Sequence, residues 1–152
     1  MNAIILHRLG HALHRQRLIR LAKIVDGLIF LLFNSYIPSS ARIGEGTRFA
    51  YGGIGVVIHA DSVIGSQCII GQGITVGAKQ GYASPNGNAA PTIGDHVYLA
   101  AGCRVIGSVT IGNRCIVGAG AVVTRSFPSH SIIAGVPAVV IGNTEPNYEA
   151  IR

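Results

Sequence analysis

The chain has no tryptophan, one methionine and little charge: Asp, Glu, Lys and Arg make up 12% of its 152 residues, against 49% hydrophobic ones. So low a charged fraction excludes an extended, solvated chain and requires that most of it be buried, by itself or by copies of itself. Cysteine is scarce as well. Cys68, Cys103 and Cys115 are an odd number and lack metal-type spacing. No cleavable signal is evident, because the start, MNAIILHRLGHALHRQRL, has neither a long apolar core nor a small-residue cleavage site. The most apolar stretch, Ile24 to Phe33, contains Asp26 and is about half of the ~20 residues needed to span a bilayer. A cytoplasmic location is expected. Formal charge is +6, yet five of the twelve basic residues (Arg8, Arg15, Arg17, Arg20, Lys23) fall in the first 25 positions. The remainder carries no basic run, which argues against a nucleic-acid partner.

What is present is glycine, 21 residues of it, and a six-residue period. Stepping by six gives Ile37, Ile43 and Phe49, then Ile58, Ile64, Ile70 and Val76, then Ile93, Leu99, Val105, Ile111, Val117 and Val123. Four residues after these aliphatics comes something small or β-branched, as at Ala41, Thr47, Ser62, Cys68, Ile74, Val97, Cys103, Val109, Cys115 and Ala121. Helical spacing does not fit, and neither does strict alternation. The period instead describes a three-sided coil of about 18 residues, with both recurring positions pointing inward, the second in a tighter space. The cysteines then become small buried hydrophobes. Glycine often follows the aliphatic residue, at Gly44, Gly65, Gly71, Gly77, Gly94, Gly112 and Gly118. It is expected there for positive φ at the corners. Coils stacked at ~4.8 Å make a rod of roughly 22 Å.

Two interruptions stand out, because breaks in a rigid repeat let side chains leave the core and build a site. One is Tyr51 to Val57 (YGGIGVV); the other spans Ala78 to Ala90 (AKQGYASPNGNAA). Ahead of the rod, residues 1–36 are expected to form a helical cap over the first coil. Ile5, Leu9, Leu13 and Leu18, Leu21, Ile24, Val25, Leu28 follow helical spacing, with Arg and His on the other side. The rod occupies 37–142, SIIAGVPAVVIGN packs back along one face, and 143–152 forms a fraying tail.

IPSSARIGEGTRF, GVVIHADSVIG, IGDHVYLAAGCRVIG and IGNRCIVGAGAVVTRSFPSHSIIAGVPA, spread over residues 37 to 142, resemble the serine acetyltransferase branch of the hexapeptide-repeat acyltransferases. The resemblance implies an all-β solenoid, a left-handed parallel β-helix with a short N-terminal helical segment. The hand comes from the resemblance alone, since parallel crossovers are otherwise right-handed. It further implies a homotrimer with sites between neighbouring rods and acetyl-CoA as co-substrate. Ala78, Ala101 and Ala119 are the implied CoA-facing positions, where small residues let a pantetheine arm reach backbone amides. Lys79, Arg104 and Arg125 are nearby phosphate partners.

The implied chemistry is direct acetyl transfer to a hydroxyl, with a histidine as general base and amides stabilising the oxyanion. Where serine acetyltransferases carry an Asp-His pair this chain has Tyr51 and Gly52, and their Arg-His-Pro is replaced by Asn88-Ala89-Ala90-Pro91. His59 is the leading candidate base. It follows the interrupted corner and has Asp61 two residues on as an orienting carboxylate. Tyr51 and Asp61 are the candidate acceptor-binding residues. His96 is a weaker candidate, and His130 belongs to the closing turn. His7, His11 and His14 share one helix face, expected to be solvated or packed between helices rather than to hold a metal; no metal is expected. The basic face of the same segment is expected to be solvated rather than bound to a membrane. The acceptor stays open between serine and a sugar, and a non-catalytic trimeric module is the further alternative.

Overall fold

The computed structural model describes residues 2–79 and 89–150. Helices α1 (Ala3–Arg15) and α2 (Ile19–Phe33) precede a succession of very short strands. Arg42–Ile43, Val63–Ile64, Thr92–Ile93 and Thr110–Ile111 form a first sheet. Arg48–Phe49, Ile69–Ile70, Tyr98–Leu99 and Ile116–Val117 form the body of a second, and Val57–Ile58, Thr75–Gly77, Arg104–Ile106 and Val122–Val123 a third. The chain visits the three in rotation, so each strand pairs in parallel with the strand three places later. Each two-residue strand keeps one residue out and one in, which is why six residues suffice for a side and its corner.

The core is the recurring aliphatic column. All thirteen six-residue positions are buried, and so are all ten slots four residues later. Cys68, Cys103 and Cys115 are free and lie in those slots. Burial pushes the Cys103 thiol up to about 12 and raises the other two, so none has the thiolate character needed for reaction.

The glycines after the aliphatics have a different cause from the expected one. None of those seven takes positive φ; for six of them the left-handed corner lies two residues further on, at Gly46, Gln67, Gly73, His96, Arg114 and Gly120, and Gly102 does the same two residues after Ala100. What Gly44, Gly65, Gly94 and Gly112 provide is clearance. A Cβ on Gly94 would stand 2.3 Å from Asn113 Oδ1 and 2.9 Å from its amide nitrogen. That space holds a ladder between coils: the Ser66, Asp95 and Asn113 amides donate to Asp95 Oδ1, Asn113 Oδ1 and Ser129 Oγ at 2.7, 2.9 and 3.0 Å.

The helical leader also inverts the expectation. Of the stripe read from the sequence, Ile5, Leu9, Leu18, Leu21, Ile24 and Leu28 are exposed, while Val25 is buried and Leu13 partly so. The rod is instead met by His7, Arg8 and His11 from α1, and by Ala22, Val25, Ile29 and Phe33 from α2. The physical reason is the free edge of the first coil, whose backbone groups need partners. Arg8 donates to the Ile43 and Gly44 carbonyls, and His11 Nδ1 lies 2.8 Å from the Ser39 carbonyl. Asp26 accepts from the Ser39 amide at 2.9 Å and from its hydroxyl.

At the other end, Ser131–Gly135 joins the second sheet in parallel beside Ile116–Val117, and Ala138–Asn143 turns back antiparallel on it. Residues 144–148, expected to fray, are tied down. Thr144 is buried and donates to the Arg114 carbonyl at 2.8 Å, and Arg114 Nε donates to the Tyr148 carbonyl at 3.1 Å. No helix among the described residues is long and apolar enough to cross a membrane.

Candidate functional site

The third sheet decides which candidate residues meet. In its register Val57, Thr75, Arg104 and Val122 stack outward, Ile58, Val76, Val105 and Val123 stack inward, and Gly77 lies opposite Ile106. His59 extends the same register, its amide donating to the Val76 carbonyl at 2.8 Å, which places it beside Gly77 in the next coil. Ala78 and Lys79 follow Gly77 round the corner, with Lys79 packed over Gly107. Thus His59, Asp61, Ala78, Lys79 and Arg125 gather along the edge where the third sheet turns toward the first.

Tyr51, Ala101 and Ala119 sit on the opposite edge, where the second sheet turns toward the third. Ala101 and Ala119 occupy equivalent positions in successive coils, with the Gly120 amide donating to the Ala101 carbonyl at 3.0 Å. Their own amides donate to no acceptor among the described residues. Small side chains thus stand beside these N–H groups on that edge. Arg104 projects from the sheet face between the two edges, its guanidinium donating to the Gly102 carbonyl at 3.1 Å. Arg125 lies 5.2 Å over the Phe127 ring. One chain therefore carries the candidate residues as two separated strips.

His59 has its side chain 40% exposed, open enough for a substrate to reach. Its Nδ1 accepts the Asp61 amide at 3.2 Å and lies 3.9 Å from Asp61 Oδ2. An N–H donor on Nδ1 fixes the neutral ring as the Nε2–H tautomer. Tyr51 is 76% exposed and left-handed, φ 50°, with Gly52 beside it at φ 77°, so that 50–53 is a kinked turn. The interruption that carries it is anchored from the leader. Ser35, buried, donates to the Gly53 carbonyl at 2.6 Å and accepts the Val56 amide at 3.0 Å. Asn2 donates to the Phe49 carbonyl at 2.9 Å while its Oδ1 caps the Ile4 amide. Sequence reasoning missed both anchors, although an Asn directly before a helical run is a readable cap signal. Residues 80–88, most of the second interruption, and with them Asn88 of the Asn-Ala-Ala-Pro segment, lie outside the described residues.

The bacterial transferase hexapeptide (six repeats) family matches residues 90–125. A serine acetyltransferase of Staphylococcus aureus is 33% identical over 166 aligned positions that cover all of this chain and 76% of that protein. The chain belongs to the serine acetyltransferase family. Another member, from Synechococcus elongatus, is 37% identical over 139 residues, 91% of this chain and 55% of its own. The crystal structure of the Brucella abortus serine acetyltransferase in complex with coenzyme A superposes with a TM-score of 0.87 at 30% identity, covering 94% of this chain and 56% of that one. The chain thus spans little more than half the length of these two serine acetyltransferases.

Against that family background, the remaining histidines separate by position. His96 is left-handed at a corner between the first and second sheets, away from the His59 edge, with Nδ1 buried and without a hydrogen-bond partner among the described residues. His130 belongs to the closing turn, its carbonyl accepting the Thr144 amide at 2.9 Å. His7 stacks on His11 with centroids 5.9 Å apart and is held down to a pKa of about 4, first by burial, then by the charges of His11 and Arg8. The His7–His11 face is thus a packing surface against the first coil. Among the described residues no group of three or more His, Cys, Asp or Glu is placed to hold a metal.

Proposed function

We infer that this chain is an acetyl-CoA-dependent O-acetyltransferase of the serine acetyltransferase type, transferring acetyl directly to a hydroxyl with His59 as general base. The observation that carries the reading is the meeting of His59 with Gly77, Ala78 and Lys79 on one edge, in a chain 33–37% identical to serine acetyltransferases. His59 Nε2 takes the proton of the acceptor hydroxyl as its oxygen attacks the thioester carbonyl, and amides beside Ala78, Ala101 or Ala119 receive the oxyanion. Collapse breaks the carbon–sulfur bond, and the imidazolium returns the proton to the leaving thiolate, giving an O-acetyl ester and CoA. For Nε2 to accept a proton Nδ1 must carry one. Asp61 Oδ2, at 3.9 Å, becomes its acceptor by moving roughly 1 Å closer.

The two strips also support an assembly. A left-handed, closed three-sided helix arranged as a homotrimer sets the His59 edge of one rod against the Tyr51–Ala101–Ala119 edge of its neighbour, so each cleft draws on two chains. Lys79, Arg104 and Arg125 then flank the cleft as phosphate partners, and the reaction runs in the cytoplasm.

The test is CoA release with L-serine and with a panel of sugars, for the native chain and for His59→Ala. Loss of about 10²–10⁴-fold on substitution supports the assignment, and turnover within tenfold of native removes it. Tyr51, where the family's Asp-His pair stands, favours a sugar acceptor as the second reading; turnover with a sugar and none with serine would select it.

A further inference from the structure

The outward side of the helical leader is the least explained surface of the molecule. With α2 packed on the rod through Ala22, Val25, Ile29 and Phe33, its other side presents Leu21, Ile24, Leu28 and Leu31 in a three-four-three spacing. Ile24 is 60% and Leu31 77% exposed, and Phe30 and Leu32 are exposed beside them. At the tip of the α1–α2 hairpin, Leu18 and Ile19 are exposed together with Arg15, Arg17 and Arg20. Lys23 flanks the stripe further along. So large an apolar patch on a soluble domain marks a binding surface.

Charge says what covers it. Among residues 1–44 the only acid is Asp26, and its carboxylate is engaged by the Ser39 amide and hydroxyl. Arg15, Arg17, Arg20 and Lys23 therefore have no acidic neighbour on the leader. A second copy of the same face would bring more cations and no carboxylate. An anionic lipid surface supplies both missing partners, phosphates for the cations and acyl chain for the stripe. At 15 residues α2 is about 22 Å long, short of the ~30 Å hydrocarbon core, so the geometry is of a helix lying in the interface plane.

We propose that the α1–α2 hairpin docks the protein on an anionic membrane surface. The Leu21–Ile24–Leu28–Leu31 stripe enters the headgroup boundary, and Arg15, Arg17, Arg20 and Lys23 pair with lipid phosphates. This surface is independent of the His59 edge and revises the expectation of a solvated leader.

Flotation of the full chain with vesicles tests it, using equal parts phosphatidylglycerol and phosphatidylcholine against pure phosphatidylcholine at low salt. The chain is expected to float with the anionic vesicles and not with the neutral ones. Arg17→Glu/Arg20→Glu should weaken that partitioning by roughly thirtyfold or more, the effect of losing two basic residues near an anionic surface. Ile24→Ser/Leu28→Ser should abolish flotation, while both variants keep the native oligomeric mass and native CoA release in solution. Failure to float with anionic vesicles, or equal flotation with neutral ones, overturns the proposal. So does a fall in oligomeric mass of Ile24→Ser/Leu28→Ser without lipid, which would give the face to a second copy.

Discussion

Acidification from pH 7.5 to 5.0 should destabilise the folded chain by about 2 kcal/mol through His7 alone. The ring is 1% exposed, and its folded pKa of about 4 lies below the ordinary 6.5. Since the folded pKa is the lower one, the unfolded chain binds the proton first. The contribution is complete above pH 6.5, declines as pH falls toward 4, and is exhausted below that. At pH 5.0 the unfolded imidazole is almost fully protonated and the folded one is about one-tenth protonated. The ratio of the two binding polynomials is then about 30, worth ~2 kcal/mol. In urea this moves the midpoint by roughly 1 M, a displacement easily measured by far-UV circular dichroism at fixed protein concentration. The decisive comparison is His7→Leu. That variant should lose about 2 kcal/mol of the pH-dependent difference whatever its stability at neutral pH. An equal midpoint displacement in native and His7→Leu protein would show that the ring is charged, or solvated, in the folded state.

Other expectations concern the corners and the site. Gly94→Ala should destabilise by about 1–3 kcal/mol in chemical denaturation, because its Cβ runs into Asn113 with a backbone that cannot retreat. Gly73→Asn, at φ 65° with nothing within 4 Å, meets only the strain of a side chain at positive φ and should cost less, about 1 kcal/mol, in the same assay. Ser35→Ala leaves the Gly53 carbonyl and Val56 amide unpaired, so about 1–3 kcal/mol should be lost, together with faster hydrogen exchange across residues 50–56. Asp61→Asn should lower kcat at least roughly tenfold, since it removes the carboxylate that holds the Nδ1 proton; an unchanged kcat would mean that His59 works without that carboxylate.

The repeat was the legible part. A position that recurs every six residues with an aliphatic side chain can face only inward, and Ile37 through Val123 do so without exception. The glycine rule was visible but its cause was not. Positive φ and close approach both select glycine, and only the neighbouring coil distinguishes a crowded Gly94 from an open Gly73. The leader misled for a related reason. Its helices are apolar on more than one side, and periodicity reports each stripe without saying which one faces the rod. The choice was made by the bare carbonyls of Ser39, Ile43 and Gly44, a tertiary feature that no local pattern announces. His59 and Asp61 could be singled out because they follow a break in the repeat; the tautomer their hydrogen bond imposes could not.

Neither end of the stack is finished by another coil. At one end cationic and imidazole side chains occupy the carbonyls of Ser39, Ile43 and Gly44; at the other a strand of opposite direction covers the second sheet. A molecule stripped of either terminator would expose a growing tip that any identical copy could extend, and polymerisation head to tail would follow. Within one chain the repeat sets the number of turns, and with it the length of each working edge; the two stoppers keep that number from growing by addition of further copies.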